Sequence, residues 1–233
     1  MLKRMAPPLA RRVVAEARAA RLSDPAVDYP RWYLRRWHFL PEGYLSRRSA
    51  ATYESVVRNL YNQAREGRLL RALAGHVSAF RPTDVIELGC GPGRAIEALA
   101  RALPASSFTG VDLSPFLLER AERRTARFGS RVTLRHSSAL HPPFVSGRFD
   151  AALAIHFIGH LPQAAARDAT IAALTLLRPG GRLYVIDHAW HPHLPDRIPL
   201  VLEQRLNAGI VRFSVFERPP GGFAELPSGV VSP

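Results

Sequence analysis

Asp84-Val85-Ile86-Glu87-Leu88-Gly89-Cys90-Gly91-Pro92-Gly93 runs a short apolar strand into an acid and then into three glycines at alternate positions. A helix signal follows at once, with Ala95, Ile96, Ala98, Leu99, Ala100 and Leu103 spaced for one packed face. The stretch predicts a strand, a tight turn and a helix, in which glycine lets the backbone approach a ligand closely. Alternating glycines alone also fit a plain turn. A second anchor decides: nineteen residues beyond Gly93, the strand-like Phe108-Thr109-Gly110-Val111 ends in Asp112. There a doubly wound fold places a carboxylate that accepts hydrogen bonds from ribose hydroxyls. The two anchors agree on a nucleoside. They disagree with a dinucleotide, because G-x-G-x-x-G fails at Ile96 and Glu87 would repel a diphosphate. A carboxylate at that place suits a cationic amino-acid or sulfonium ligand.

With these residues in view, the chain resembles the class I S-adenosylmethionine (SAM) dependent methyltransferases, whose first motif is similar to residues 85–93 almost letter for letter. Gly110-Val111-Asp112-Leu113-Ser114 is similar to the family's second-strand acidic motif, and Phe149-Asp150-Ala151-Ala152-Leu153 to its fourth strand. His160-Leu161-Pro162 resembles the following loop, and Leu177-Arg178-Pro179-Gly180-Gly181-Arg182-Leu183 the turn into strand five. The likeness covers roughly residues 82–190. One departure stands at Ser137-Ser138-Ala139-Leu140, where the family often carries an Asp-Ala pair whose acid accepts from the adenine amino group. Ser138 is left to accept that bond without charge. Leu60-Tyr61-Asn62 resembles the Tyr-Asp element that many small-molecule methyltransferases carry before the first strand, with Asn62 replacing the acid. The resemblance implies that Tyr61 reaches over the cofactor, and ordinary packing is the competing reading.

Alternation from Thr83 onward gives strands near 84–88, 107–112, 131–135, 149–155 and 182–187, and helices near 93–103, 115–127 and 164–177. This predicts an α/β fold, a Rossmann-like, doubly wound, mostly parallel sheet. A last helix near 197–207, a strand near 210–216 and a short edge strand near 228–231 are expected after it. Residues 1–80 read as an N-terminal helical extension or lid and 81–233 as the SAM-binding core. Within the lid, residues 6–22 read as a basic helix, and Tyr53, Val56, Val57, Leu60, Leu69, Leu70, Leu73 and Val77 as the packed faces of two more.

The formal net charge of +13 is uneven: residues 1–80 hold 15 Lys and Arg against 6 Asp and Glu, and the remainder 17 against 13. Arg31-Trp32-Tyr33-Leu34-Arg35-Arg36-Trp37-His38-Phe39-Leu40 is packed with aromatics and arginine. It reads first as a helix capping the substrate pocket. A peripheral membrane-surface contact through residues 1–45 is the second reading, and nucleic acid is disfavoured. No apolar run approaches the roughly 20 residues that span a bilayer, and residues 1–21 lack the apolar core of a signal peptide. A single cysteine, Cys90, excludes an internal disulfide and points to a reducing compartment. Cytoplasmic localisation is expected, with the inner membrane face as the peripheral variant.

Ligands in open parallel sheets bind beyond the carboxyl ends of the strands. Candidate cofactor-binding residues are therefore Glu87, Gly89, Cys90, Gly91 and Gly93, then Asp112 and Leu113, then Ser138 and Ala139, then Ile155. Among the nine histidines, His156, His160 and His188 fall at the ends of strands four and five, where histidine is matched to proton transfer near neutral pH. With Tyr61 they form the candidate catalytic set, His160 and His188 first. His188, His191 and His193 with Asp187 and Asp196 fit no defined zinc spacing, so no metal is expected. The expected activity is methyl transfer from SAM to a small, apolar or lipid-like acceptor: a quinone, an aminophospholipid or a secondary metabolite. The competing readings are amino transfer of the rhodoquinone-synthesis type on the same fold and a non-catalytic SAM or nucleic-acid binding module.

Overall fold

The computed structural model describes residues 4–36, 40, 42–60, 63–189, 200–206 and 209–219. Three helices come first: α1 (Pro7–Arg18), α2 (Arg47–Leu60) and α3 (Gln63–Phe80). Then β1 (Asp84–Leu88), α4 (Arg94–Ala102), β2 (Ser107–Asp112), α5 (Pro115–Thr125), β3 (Val132–His136), β4 (Phe149–Ile155), α6 (Gln163–Leu176), β5 (Leu177–His188), β6 (Leu200–Leu206) and β7 (Val211–Glu217) follow. The strands form one seven-stranded sheet in the order β3-β2-β1-β4-β5-β7-β6. β1 to β5 pair in parallel, while β7 runs antiparallel to both β5 and β6. The strand order reverses direction between β1 and β4, the crevice where such sheets take ligands.

The period of two along each strand sorts its side chains between two cores. Val85, Ala151, Leu153, Tyr184 and Ile186 face Leu69, Leu73 and Val77 of α3 and Ile96 and Leu99 of α4. Ile86, Leu88, Ala152, Ala154, Leu183 and Val185 face Ala173, Leu174 and Leu176 of α6. The same parity sends Glu87 and Asp112 to the α4 side, both buried at 3% and 8% exposure, beside the turn that starts α4.

The N-terminal helices are held on α5 by a third core in which Val13, Ala17, Leu45 and Ala50 enclose Phe116 and Leu117. Ion pairs surround it: Arg21 with Glu122, Arg47 with Glu119, and Glu54 with both Arg120 and Arg124. Part of the basic surplus is thus neutralised inside the molecule. Glu54, Arg120 and Arg124 are only 14%, 24% and 20% exposed. Glu54→Gln should therefore cost about 2 kcal/mol of stability in urea unfolding, because Arg120 loses its carboxylate and Arg124 keeps only Glu97. Glu122→Gln, at a pair that is mostly in water, should stay within about 0.5 kcal/mol.

Two expectations are corrected. Residues 200–206 form a strand and not the expected helix: Leu202, Gln204 and Leu206 alternate with the more exposed Val201, Glu203 and Arg205, and pairing with β7 outweighs the local helix preference of Leu, Glu, Gln and Arg. Residues 31–36 form a turn, with the Tyr33 N–H on the Pro30 carbonyl and a bridge between Arg35 and Arg4, where a capping helix was expected. Pro30 favours turn initiation there. Trp37, His38, Phe39, Tyr61, Asn62, His191, His193, Asp196 and residues 228–231 lie outside the described residues. Among the described residues, no helix is long and apolar enough to cross a membrane.

Candidate active site

The β1–α4 turn is shaped by glycine. Gly91 sits at φ +50°, and a Cβ built on it would meet nothing within 4 Å, so its backbone faces open space. Its N–H donates to Asp112 Oδ2 at 2.8 Å, and Ser114 N–H donates to Oδ1 at 2.7 Å. Each carboxylate oxygen thus accepts one N–H and has capacity for another, and Asp112 lines the opening beyond the turn. Burial pushes the Asp112 carboxyl up to about 6 against the pull of those two N–H groups. Glu87 lies deeper. Burial holds its carboxyl well above the usual range, an N–H of Ile96 acts in the opposite direction, and Oε2 has no partner. Cys90 belongs to the core, where burial raises its thiol.

A cavity of about 440 Å3 opens beyond these strand ends. One wall is Gly89, Gly91, Asp112, Leu113, Ser138 and Ala139; the other is Trp32, Tyr33, Tyr44 and Tyr53 from the N-terminal segment. His156, Phe157 and His160 close the end of β4. Of the candidate cofactor residues, Glu87, Cys90, Gly93 and Ile155 do not line the cavity. Gly93 packs against Ala121 of α5, and Ile155 against the α4-side core.

The loop after β4 is fixed in place. His156 takes φ +50°, uncommon for a residue other than glycine, and its N–H donates to the Ile186 carbonyl at 2.6 Å. Asp187 accepts from Gly159 N–H at 2.5 Å and from His188 N–H at 2.9 Å, so one carboxylate ties the loop to β5. The His188 ring stands 5.3 Å from that of His156 and does not line the cavity. The sequence ranking is thereby reordered: His156 and His160 face the cavity, and His188 backs His156.

The aromatic wall is continuous. Trp32 meets Tyr33 edge-on at 5.9 Å, Tyr33 lies 6.1 Å from Tyr44, and Tyr44 meets Tyr53 edge-on at 5.7 Å. Burial keeps the Tyr33 phenol protonated far above neutral pH. His136, at the end of β3, fastens this wall to the sheet. Its Nδ1 accepts from Asp24 N–H at 2.9 Å, so in the neutral ring Nε2 carries the proton and donates to the Leu113 carbonyl at 3.1 Å, with the Tyr29 hydroxyl also at 3.1 Å. Burial holds the ring neutral by lowering its pKa. Neither the aromatic wall as a cavity lining nor His136 is visible from local spacing, because both join residues far apart in the chain. Among the described residues, no cluster of three His, Cys, Asp or Glu is placed to hold a metal.

Residues 85–181 match the family described as a methyltransferase domain. Over that stretch the chain is similar to the class I SAM-dependent methyltransferases. The chain is 28% identical over 134 residues to the O-methyltransferase resE of Aspergillus sclerotiorum, an alignment covering 55% of this chain and 48% of that one. It is 39% identical over 87 residues to the trans-aconitate 2-methyltransferase of Pseudomonas paraeruginosa, covering 37% and 30% of the two chains. These alignments thus span half or less of the curated relatives. Its fold matches the Burkholderia thailandensis 1,6-didemethyltoxoflavin-N1-methyltransferase, solved with 1,6-didemethyltoxoflavin and S-adenosylhomocysteine, with a TM-score of 0.58 at 19% identity over 73% of this chain and 87% of that one.

Proposed function

We propose that the protein transfers a methyl group from SAM to a small-molecule acceptor, with residues 81–233 as the core and residues 1–80 as the lid. The observation that carries this reading is the single cavity with two chemically different walls, a nucleoside-type wall and an aromatic wall with two histidines at its end. The site fits SAM on its own chemistry. Asp112 keeps acceptor capacity for the ribose hydroxyls, and Gly91 leaves room above its backbone. Ser138 Oγ accepts from Leu140 N–H at 3.2 Å and retains a lone pair and a proton for the adenine edge.

When bound, the sulfonium supplies an electrophilic methyl group and leaves as a neutral thioether. The protein's share is alignment and exclusion of water, which the rings of Trp32, Tyr33, Tyr44 and Tyr53 provide. For a hydroxyl acceptor the O–H proton must leave as the O–C bond forms, and His156 is the residue that takes it. The resemblance in name to O-methyltransferases supports that acceptor atom. Incubating the protein with methyl-labelled SAM and a metabolite extract should give a product heavier by one labelled methyl group. Transfer of an amino group instead, or binding without any labelled product, would contradict the proposal.

The raised Asp112 carboxyl gives two opposite pH dependences. In the free protein the folded chain keeps this proton between the ordinary carboxylate value and about 6 while the unfolded chain loses it, so its contribution to stability falls as pH rises through that window. Ribose hydroxyls donate to the ionised form, so affinity for S-adenosylhomocysteine should be level above about 6 and fall as pH drops through that window, by about tenfold per unit at the limit. Asp112→Asn should flatten this acid limb in a titration series.

A further inference from the structure

The acceptor side of the cavity carries one cation that the proposed transfer does not use. Arg35 lines the cavity beside Trp32 and Tyr33. Several arginines around the lid have carboxylate partners, among them Arg12 on Glu42, Arg21 on Glu122, Arg47 on Glu119, and Arg120 and Arg124 on Glu54. Among the described residues, Arg35 has no such ion pair. Among the described residues, Asp112 is the sole carboxylate lining the cavity, and its oxygens already accept the N–H groups of Gly91 and Ser114. The acceptor half is therefore electropositive, and a bound sulfonium would make it more so.

The shape of the same wall narrows the guest further. Tyr33 and Tyr44 are inclined by 34°, and Trp32 and Tyr53 close the two ends edge-on. Such a wall offers ring faces to a flat body, and burial keeps the Tyr33 phenol protonated beside them. Together, the geometry points to an acceptor of one class: a planar, conjugated or aromatic molecule that carries a carboxylate, held by Arg35 at its charged end and by the tyrosine wall along its plane. A cationic amine finds no carboxylate there, and an aliphatic lipid tail leaves the guanidinium unpaired.

This inference rests on the methyltransferase reading, and its test separates the two. Protein saturated with S-adenosylhomocysteine is titrated in a calorimeter with three probes of nearly equal shape: para-hydroxybenzoate, para-hydroxybenzamide and para-hydroxybenzamidine, which are anionic, neutral and cationic. The carboxylate should bind about tenfold more tightly than the amide, the value expected of one charge-assisted pair that is partly exposed, and the amidine should bind least. Arg35→Gln should erase the difference between carboxylate and amide without changing affinity for S-adenosylhomocysteine, and Arg35→Lys should restore part of it. Equal binding of the probes, failure of all three to bind at millimolar concentration, or a carboxylate preference that survives in Arg35→Gln would overturn the inference while S-adenosylhomocysteine binding kept the methyltransferase reading intact. Loss of S-adenosylhomocysteine binding by the unaltered protein would overturn both.

Discussion

Gly91→Arg is expected to abolish binding of S-adenosylhomocysteine while leaving a folded protein. The position combines φ +50° with open space where a Cβ would stand, so a Cβ there meets no protein atom and the side chain starts from a cavity-lining backbone. Its cost to the fold is the left-handed strain of an L-residue, about 1–2 kcal/mol. Its cost to the ligand is occupation of the cavity itself. Asp112→Ala attacks the same wall differently, removing the ribose acceptor and stranding the N–H groups of Gly91 and Ser114. Two lost bonds to a carboxylate correspond to a weakening of about 100-fold or more. Gly89 is a poor choice for this test, because a Cβ there would strike Phe157 Cδ2 at 2.4 Å and disturb the loop rather than the ligand. Calorimetric titration with a thermal melt in parallel checks both variants; near-normal affinity in both would remove the nucleoside from this turn.

His156→Asn should lower kcat by about 100-fold or more for a hydroxyl acceptor, in the range ascribed to a positioned general base. Asparagine tolerates positive φ, so the substitution keeps the backbone turn that carries the loop. The affinity for S-adenosylhomocysteine should change by only a few-fold. His160→Asn should cost less than about tenfold, because His160 sits within a short 3-10 turn, whereas the His156 N–H is held in the β4–β5 ladder and its ring lies against buried His188. Measured kcat across pH separates the two roles: the acid limb, where the base is protonated, should vanish in His156→Asn and persist in His160→Asn. The opposite ranking would move the base to His160.

Much of the sheet was legible because it is written in local patterns. The run into Gly89-Cys90-Gly91-Pro92-Gly93, the strand ending in Asp112 and the alternation that follows all concern residues that touch near neighbours. The mostly parallel sheet and the nucleoside-type wall follow from them. What failed was set by distant partners. Leu200 to Leu206 has helix-forming residues and becomes a strand only because β7 offers it a ladder. Residues 31–36 were expected to be helical, and form a turn bridged to Arg4. The candidate site divides the same way. Asp112, Gly89 and Gly91 could be named from motifs, and His156 and His160 from their place after β4. That Tyr44 and Tyr53 join Trp32 and Tyr33 in one wall depends on how α2 lies over the strand ends, and that His188 turns behind His156 depends on the parity of β5. Neither is encoded in spacing along the chain.

The central claim is that the turn between β1 and α4, with Asp112, holds the nucleoside of SAM. Isothermal titration of the unaltered protein with S-adenosylhomocysteine tests it most directly. The structure predicts one site per chain, with affinity that weakens below a pH of about 6 as Asp112 takes up its proton. Absence of binding across that pH range, in protein shown to be folded, would contradict it.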